Sequence, residues 1–157
     1  MKLPQQIAIA FTLFLTVAAP GSVANEALEA EVQAVYDSKL KELFLYFHQN
    51  PELSTMEHMT SARLAEELTA LGYTVHRNVG GTGIVALLEN GDGPLVMFRA
   101  DMDGLPVEEK SGLAYASRAK QIDTNGNEVF VMHACGHDVH ITSLVGTAQL
   151  MAKKRDQ

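Results

Sequence analysis

The sequence is organised around one stretch, His133-Ala134-Cys135-Gly136-His137-Asp138-Val139-His140. It contains three of the six histidines and the only cysteine. If residues 133 to 137 run extended, the two-residue period of a strand places His133, Cys135 and His137 on one side. Thiolate and imidazole are ligands that zinc and similar metals prefer, and Gly136 allows a sharp bend between them. The stretch therefore predicts a transition-metal site.

Other interpretations of these residues remain open. A free cysteine can pack as a small hydrophobe, and His133 can be a hydrogen-bonded core residue. Asp138 can be the N-cap of the helix that follows. Cys135 can also be a nucleophile paired with histidine, although neighbours in sequence rarely have the geometry for that chemistry.

The first 24 residues differ in kind from the rest. Lys2 precedes an apolar run over residues 7–19, which is followed by Pro20-Gly21 and by Ser22-Val23-Ala24, a small-x-small pattern. This layout is typical of a secretory signal peptide, and the apolar run is short for a membrane span. We expect residues 1–24 to be a signal peptide and the protein to be secreted or periplasmic, with a retained N-terminal anchor as the alternative.

Composition limits the class of partner. The 157 residues suit one domain and carry 12 basic and 19 acidic side chains, a net charge of −7. An acidic chain is a poor candidate for nucleic acid or an anionic membrane, so a small molecule or another protein is expected. A lone cysteine in an exported protein is explained either by metal ligation or by an intermolecular disulfide.

Apolar spacing predicts an α/β fold in which helices pack on a mixed β-sheet. Helices are predicted over 26–48, from a Ser54–Glu57 capping box to Gly72, and beyond His140. Strands are predicted over 73–79, 84–88, 95–98 and 128–132. Residues 95–98 are apolar on both faces, which is typical of a buried central strand.

Three charged residues follow that central strand. Ligands in such sheets bind at the C-terminal ends of strands, and alternation places Arg99, Asp101 and Asp103 on one side there. A solvated strand end with turn-forming aspartates is the alternative.

Four motifs in order resemble the N-terminal part of the metal-dependent N-acyl-amino-acid amidohydrolases. That family includes hippurate hydrolases and auxin-conjugate hydrolases, and it is related to the dinuclear-zinc aminoacylases and carboxypeptidases. The motifs are residues 47–54 (FHQNPELS) with Glu57, 80–86 (GGTGIVA), 99–107 (RADMDGLPV) and 132–140 (MHACGHDVH). The resemblance covers nearly all of residues 25–157 and implies a truncated zinc-peptidase-like catalytic domain.

The resemblance also implies roles for single residues. Cys135 and His137 match metal ligands, with the sulfur between two zinc or manganese ions, and Asp101 matches an orienting group beside the metals. Arg99 stands where the wider peptidase set has a histidine ligand, so it is not a ligand. His133, Asp138 and His140 have no settled role. The implied reaction is hydrolysis of an N-acyl amino acid by metal-activated water, with a glutamate as general base.

The chain departs from the family in its length. The Glu-Glu pair, two further histidine ligands and the dimerisation domain of the family have no counterpart, since Asp156 is the only acid and no histidine occurs after His140. Asp103, Glu108 and Glu109 are local carboxylates that could complete a one-metal site. We expect the chain alone to be an inactive or weak hydrolase. Its expected protein partners are further copies of itself, in a homo-oligomer, or a missing C-terminal half. The alternative is a non-catalytic metal-binding or interaction module that pairs through an unfinished sheet edge.

Overall fold

A computed structural model describes the backbone of residues 21–155 and the side chains of residues 26–155. The elements in chain order are α1 (Gly21–Val35), a π-helical turn (Tyr36–Leu40), α2 (Lys41–Gln49), α3 (His58–Ala70), β1 (Thr74–Val79), β2 (Gly83–Leu87), β3 (Lys120–Ile122), β4 (Glu128–Phe130) and α4 (His137–Lys153). Most of the predicted signal peptide, residues 1–20, lies outside the described part. Within residues 21–155, no helix has the length and apolar character needed to cross a membrane.

The helix predicted over residues 26–48 is confirmed, since the chain stays helical from α1 to α2. At Tyr36–Leu40 the α-helical hydrogen bonding changes to one π-helical turn. The apolar side of this helical stretch is buried only in its second half. In the first half, Leu28 and Val32 remain 45% and 44% exposed. Helix α2 ends at Asn50, since the following Pro51 disfavours further helix.

The capping box predicted for α3 is wrong. Glu57 does occupy the N-cap position, but its carboxylate accepts a hydrogen bond from the Thr82 hydroxyl at 2.6 Å instead of capping the helix. The first backbone N–H groups of α3 have no acceptor within the helix. Those of Met59 and Thr60 donate instead to the carboxylate of Glu52, at 3.1 and 2.7 Å. Ser54 lies in an exposed turn, so its hydroxyl caps nothing in the helix.

The strands form two small antiparallel sheets. Strand β1 pairs with β2, with a bulge between His76 and Val79, and β3 pairs with β4. Two isolated bridges tie the loops to each other, a parallel one from Leu53 to Gly104 and an antiparallel one from Leu105 to Met132. The α/β class is confirmed by the combination of helices and small sheets. Among the described residues, the only parallel pairing is the isolated bridge from Leu53 to Gly104.

The prediction of a buried central strand at residues 95–98 is wrong. Leu95, Val96, Met97 and Phe98 are 91%, 66%, 84% and 56% exposed. A central strand is buried by neighbours on both sides, and among the described residues none forms a backbone hydrogen bond with this segment. The four side chains therefore remain in water despite their apolar pattern.

The core lies between α2 and α4. Leu43 and Phe47 of α2 are 1% and 0% exposed, and Ile141 and Val145 of α4 are 1% and 0% exposed. Full burial of each such side chain contributes about 1.5–3 kcal/mol. This packing fixes where the N-terminal end of α4 lies relative to the C-terminal end of α2.

Gly104 offers a direct test of the bridge region. A Cβ at this position would lie 2.8 Å from Cγ1 of Val131 and 3.0 Å from Cβ of Pro51, closer than normal contact. Gly104→Ala should therefore lower the free energy of unfolding by about 1–3 kcal/mol in urea denaturation. Gly93→Ala is the control, because nothing lies within 4 Å of its Cβ position. Equal effects of the two substitutions would contradict the packing described.

Candidate metal centre

The segment between β4 and α4 is a turn, not a strand. Ala134 and Cys135 lie in the turn, and Gly136 has φ +76°, the left-handed conformation that glycine adopts readily. His133 is consequently buried, at 6% exposure, while Cys135 is exposed. The expectation that His133, Cys135 and His137 share one side of an extended segment is therefore wrong.

His137 is the first residue of α4 and is held by Asp103. Its Nδ1 lies 2.9 Å from the backbone oxygen of Asp103 and 2.9 Å from Oδ1 of the same residue. A ring that donates its Nδ1 proton to either oxygen leaves Nε2 as the unprotonated nitrogen, which is the one that can bind a metal. The position of Asp103 thus suits the tautomer of His137 that can bind a metal through Nε2.

Asp101 makes a different contact. Its carboxylate pairs with Arg99, and both side chains are well exposed, at 46% and 78%. The orienting role implied for Asp101 stays a prediction, whereas the carboxylate in contact with His137 belongs to Asp103. Alternation along the strand end could not distinguish the two aspartates, because both lie at odd positions of the same run.

His133 is buried, at 6% exposure, and neither ring nitrogen makes a hydrogen bond of normal geometry among the described residues. Burial lowers the pKa of His133, and the nearby charge of Asp138 and the backbone of Asp103 offset only part of that shift. The ring is therefore favoured in its neutral form, in which one nitrogen keeps a free lone pair.

A second polar cluster lies beside this turn and centres on His48. Its Nδ1 lies 2.7 Å from Oδ2 of Asp138, and its Nε2 lies 3.3 Å from Oε1 of Glu109. Glu109 also accepts hydrogen bonds from the Ser111 hydroxyl and the Ser117 N–H. Burial opposes ionisation of Glu109, but these donors outweigh it, so its pKa is lowered. No role for His48 can be predicted from the sequence, since a histidine at a helix end carries no signal of its distant partners.

The described residues fit a divalent metal as part of a site. Cys135 supplies an exposed sulfur and His137 a free imidazole nitrogen, the donor types that zinc prefers. His140 is exposed, and its ring centroid lies 5.4 Å from that of His137. Within residues 26–155, however, no group of three or more His, Cys, Asp or Glu side chains is arranged to hold a metal ion.

These features define an α/β domain with two candidate metal donors, Cys135 and His137, at the start of a core helix. Residues 97–157 match peptidase family M20/M25/M40. The predicted resemblance to the metal-dependent amidohydrolases and their peptidase relatives is thereby confirmed, and the partial coverage fits an N-terminal portion.

Individual relatives agree with this assignment. The chain is 45% identical over 111 residues to thermostable carboxypeptidase 2 of Saccharolobus solfataricus, covering 69% of this chain and 26% of that protein. It is 40% identical over 108 residues to hippurate hydrolase of Campylobacter jejuni, covering 68% and 26%. The Bacillus subtilis YXEP protein, a dinuclear metal-binding peptidase of the M20 family, superposes with a TM-score of 0.67 at 31% identity, covering 78% and 32%. The chain thus spans roughly a quarter to a third of the length of these relatives.

The lowered pKa of Glu109 leads to a pH-dependent prediction. A carboxyl group whose pKa is lower in the folded state stabilises the fold above its unfolded pKa and loses that contribution as the pH falls. Glu109→Gln should therefore cost about 1–2 kcal/mol of unfolding free energy at pH 7. The difference from the parent chain should shrink below a pH of about 4.3, as followed by urea denaturation across pH.

The matched control is the neighbouring carboxylate. Glu108 is exposed, and its pairing with Lys110 occurs at the surface, where ion pairs contribute little. Glu108→Gln should change stability by less than about 0.5 kcal/mol at either pH. A pH-independent cost of Glu109→Gln would be evidence against the buried hydrogen-bonded carboxylate.

Proposed function

We propose that this chain supplies Cys135 and His137 to a divalent-metal site in a hydrolase of N-acyl amino acids, with zinc or manganese as the metal. The observation that carries the proposal is the contact between His137 Nδ1 and Asp103, which leaves Nε2 free to bind a metal. The names of the relatives, a hippurate hydrolase among them, support the substrate class. The dinuclear metal-binding peptidase among the structural neighbours supports the cofactor.

The chain's own residues perform distinct parts of this function. Cys135 presents a thiol that ligates as thiolate, and its position in the exposed turn makes it accessible. Asp103 fixes the tautomer and rotation of the His137 ring. A bound divalent metal would activate water and polarise the amide carbonyl of the substrate.

We propose further that the chain alone has little or no hydrolytic activity. Two donors do not complete a catalytic metal site, and the described residues gather no third one with them. A homo-oligomer or a separate C-terminal half would then supply the remaining ligands and the general base.

A second candidate function is a non-catalytic metal-binding or interaction module. The observation that favours it is the exposed apolar segment at residues 95–98, which has unpaired backbone in the described structure. Unpaired extended segments are templates for strand addition by another chain.

The proposed metal site can be tested by binding. The 157-residue chain should bind Co²⁺ through Cys135, producing a thiolate-to-metal absorption band, and Cys135→Ser and His137→Ala should each lower the affinity for Co²⁺ by at least about tenfold. His140→Asn is the control, since His140 is exposed and has no proposed ligand role. Release of glycine from hippurate should be negligible for the chain alone with added zinc or manganese.

The outcomes separate the candidates. Turnover that is lost in both ligand variants would show that the chain completes its own site. Binding without turnover is expected for the incomplete hydrolase and also for the module, which would additionally capture a strand-forming partner. Affinity that is unchanged in both ligand variants would reject the metal site.

The contact with Asp103 predicts which aspartate matters for metal binding. Asp103→Ala should weaken Co²⁺ binding about threefold to tenfold, because the carboxylate contact with His137 is lost while the backbone oxygen of residue 103 remains in contact with Nδ1. Asp101→Ala removes the same charge two residues away and leaves the His137 contact intact, so the affinity should change much less. The reverse order of the two effects would instead support the orienting role that the sequence predicts for Asp101.

A further inference from the structure

His48 connects two buried carboxylates from distant parts of the chain. It lies in the last turn of α2, and its side chain is 13% exposed. Asp138, in the first turn of α4, is 3% exposed, and Glu109, in the loop before β3, is 5% exposed. Because each ring nitrogen faces a carboxylate oxygen, a ring that donates to both carries both protons.

Among the described residues, His48 is the only basic side chain that contacts these two carboxylates. Among the described residues, the other donors to Glu109 are the neutral groups of Ser111 and Ser117, and the other donor to Asp138 is the N–H of Val139. A buried charge is costly unless it is paired and hydrogen-bonded. Loss of the ring would remove the one side chain that contacts both buried carboxylates.

The two contacts of His48 differ in strength. The distance of 2.7 Å to Asp138 is typical of a charge-assisted hydrogen bond, whereas 3.3 Å to Glu109 is long. The shorter of the two hydrogen bonds therefore joins His48 to Asp138, the residue of α4 that directly follows His137. The first turn of α4 is thus anchored to the last turn of α2.

We propose that His48 is a positioning residue for the metal site, which holds Asp138 and so fixes the backbone from which the His137 ring extends. This inference rests on the proposed metal-binding role of His137. Asp103 sets the rotation of the ring, and His48 sets the position of the helix turn that carries it.

Two substitutions separate the contacts of His48. In His48→Asn, the amide nitrogen lies near the former Nδ1 and can still donate to Asp138. In His48→Gln, it lies near the former Nε2 and can donate only to Glu109. Both variants lose the ring contacts with Phe44 and Tyr115, so the packing loss is shared. His76→Asn, at an exposed position of β1, is the control.

The first readout requires no metal. Amide hydrogen exchange of the full chain, followed by NMR, should be at least about tenfold faster at His140 and Ile141 in His48→Gln, since the first turn of α4 opens locally. In His48→Asn these amides should stay within about threefold of the parent chain, with Val145 and Ala148 unchanged in both variants. Equal acceleration in the two variants, no acceleration in His48→Gln, or uniform acceleration along α4 would overturn the proposal.

The second readout is Co²⁺ binding by the same proteins, followed through the thiolate-to-metal absorption. The Kd for Co²⁺ should rise about tenfold in His48→Gln and stay within about threefold in His48→Asn and His76→Asn. An unchanged Kd in His48→Gln would overturn the role of His48 alone. A parent chain that binds no Co²⁺ would overturn the proposed function itself, even where the exchange pattern is as expected.

Discussion

The packing of α2 against α4 is the constraint on which the rest of this structure depends. Leu43 and Phe47 meet Ile141 and Val145 in nearly complete burial, and no other pair of elements contributes so many fully buried side chains to the described core. This contact brings the C-terminal end of one helix, with His48, to the N-terminal end of the other, with His137. The polar clusters around both histidines are therefore consequences of an apolar interface.

Much of the fold could be predicted from local pattern. The first helix, the strand pair at residues 73–79 and 84–88 and the C-terminal helix follow from apolar spacing, since this depends on neighbours in sequence. The errors concern features that depend on distant partners. Ser54 and Glu57 match a capping box, but it is Glu52 that accepts hydrogen bonds from the first backbone N–H groups of α3. The pattern at residues 95–98 predicts burial, and burial requires neighbouring strands that the described residues do not provide.

In the candidate site, too, local pattern predicts single residues but not their contacts with distant parts of the chain. Cys135 and His137 could be singled out from residue type and spacing, because thiolate and imidazole have few other reasons to cluster. The contacts that support these residues could not be predicted, since Asp103 contacts His137 across 34 positions of chain and His48 contacts Asp138 across 90. Gly136 was expected to allow a bend, and its left-handed conformation separates buried His133 from exposed Cys135.

The exposed run Leu95–Phe98 also bears on how the chain behaves at high concentration. Four consecutive apolar residues with free backbone groups form the kind of segment that nucleates intermolecular β-structure. The run is flanked by Pro94, which has no amide hydrogen to donate, and by the charged Arg99, and residues of both kinds act as gatekeepers against aggregation. Pro94 and Arg99 therefore oppose self-association through this run, and a strand that covered the run would take over that protection.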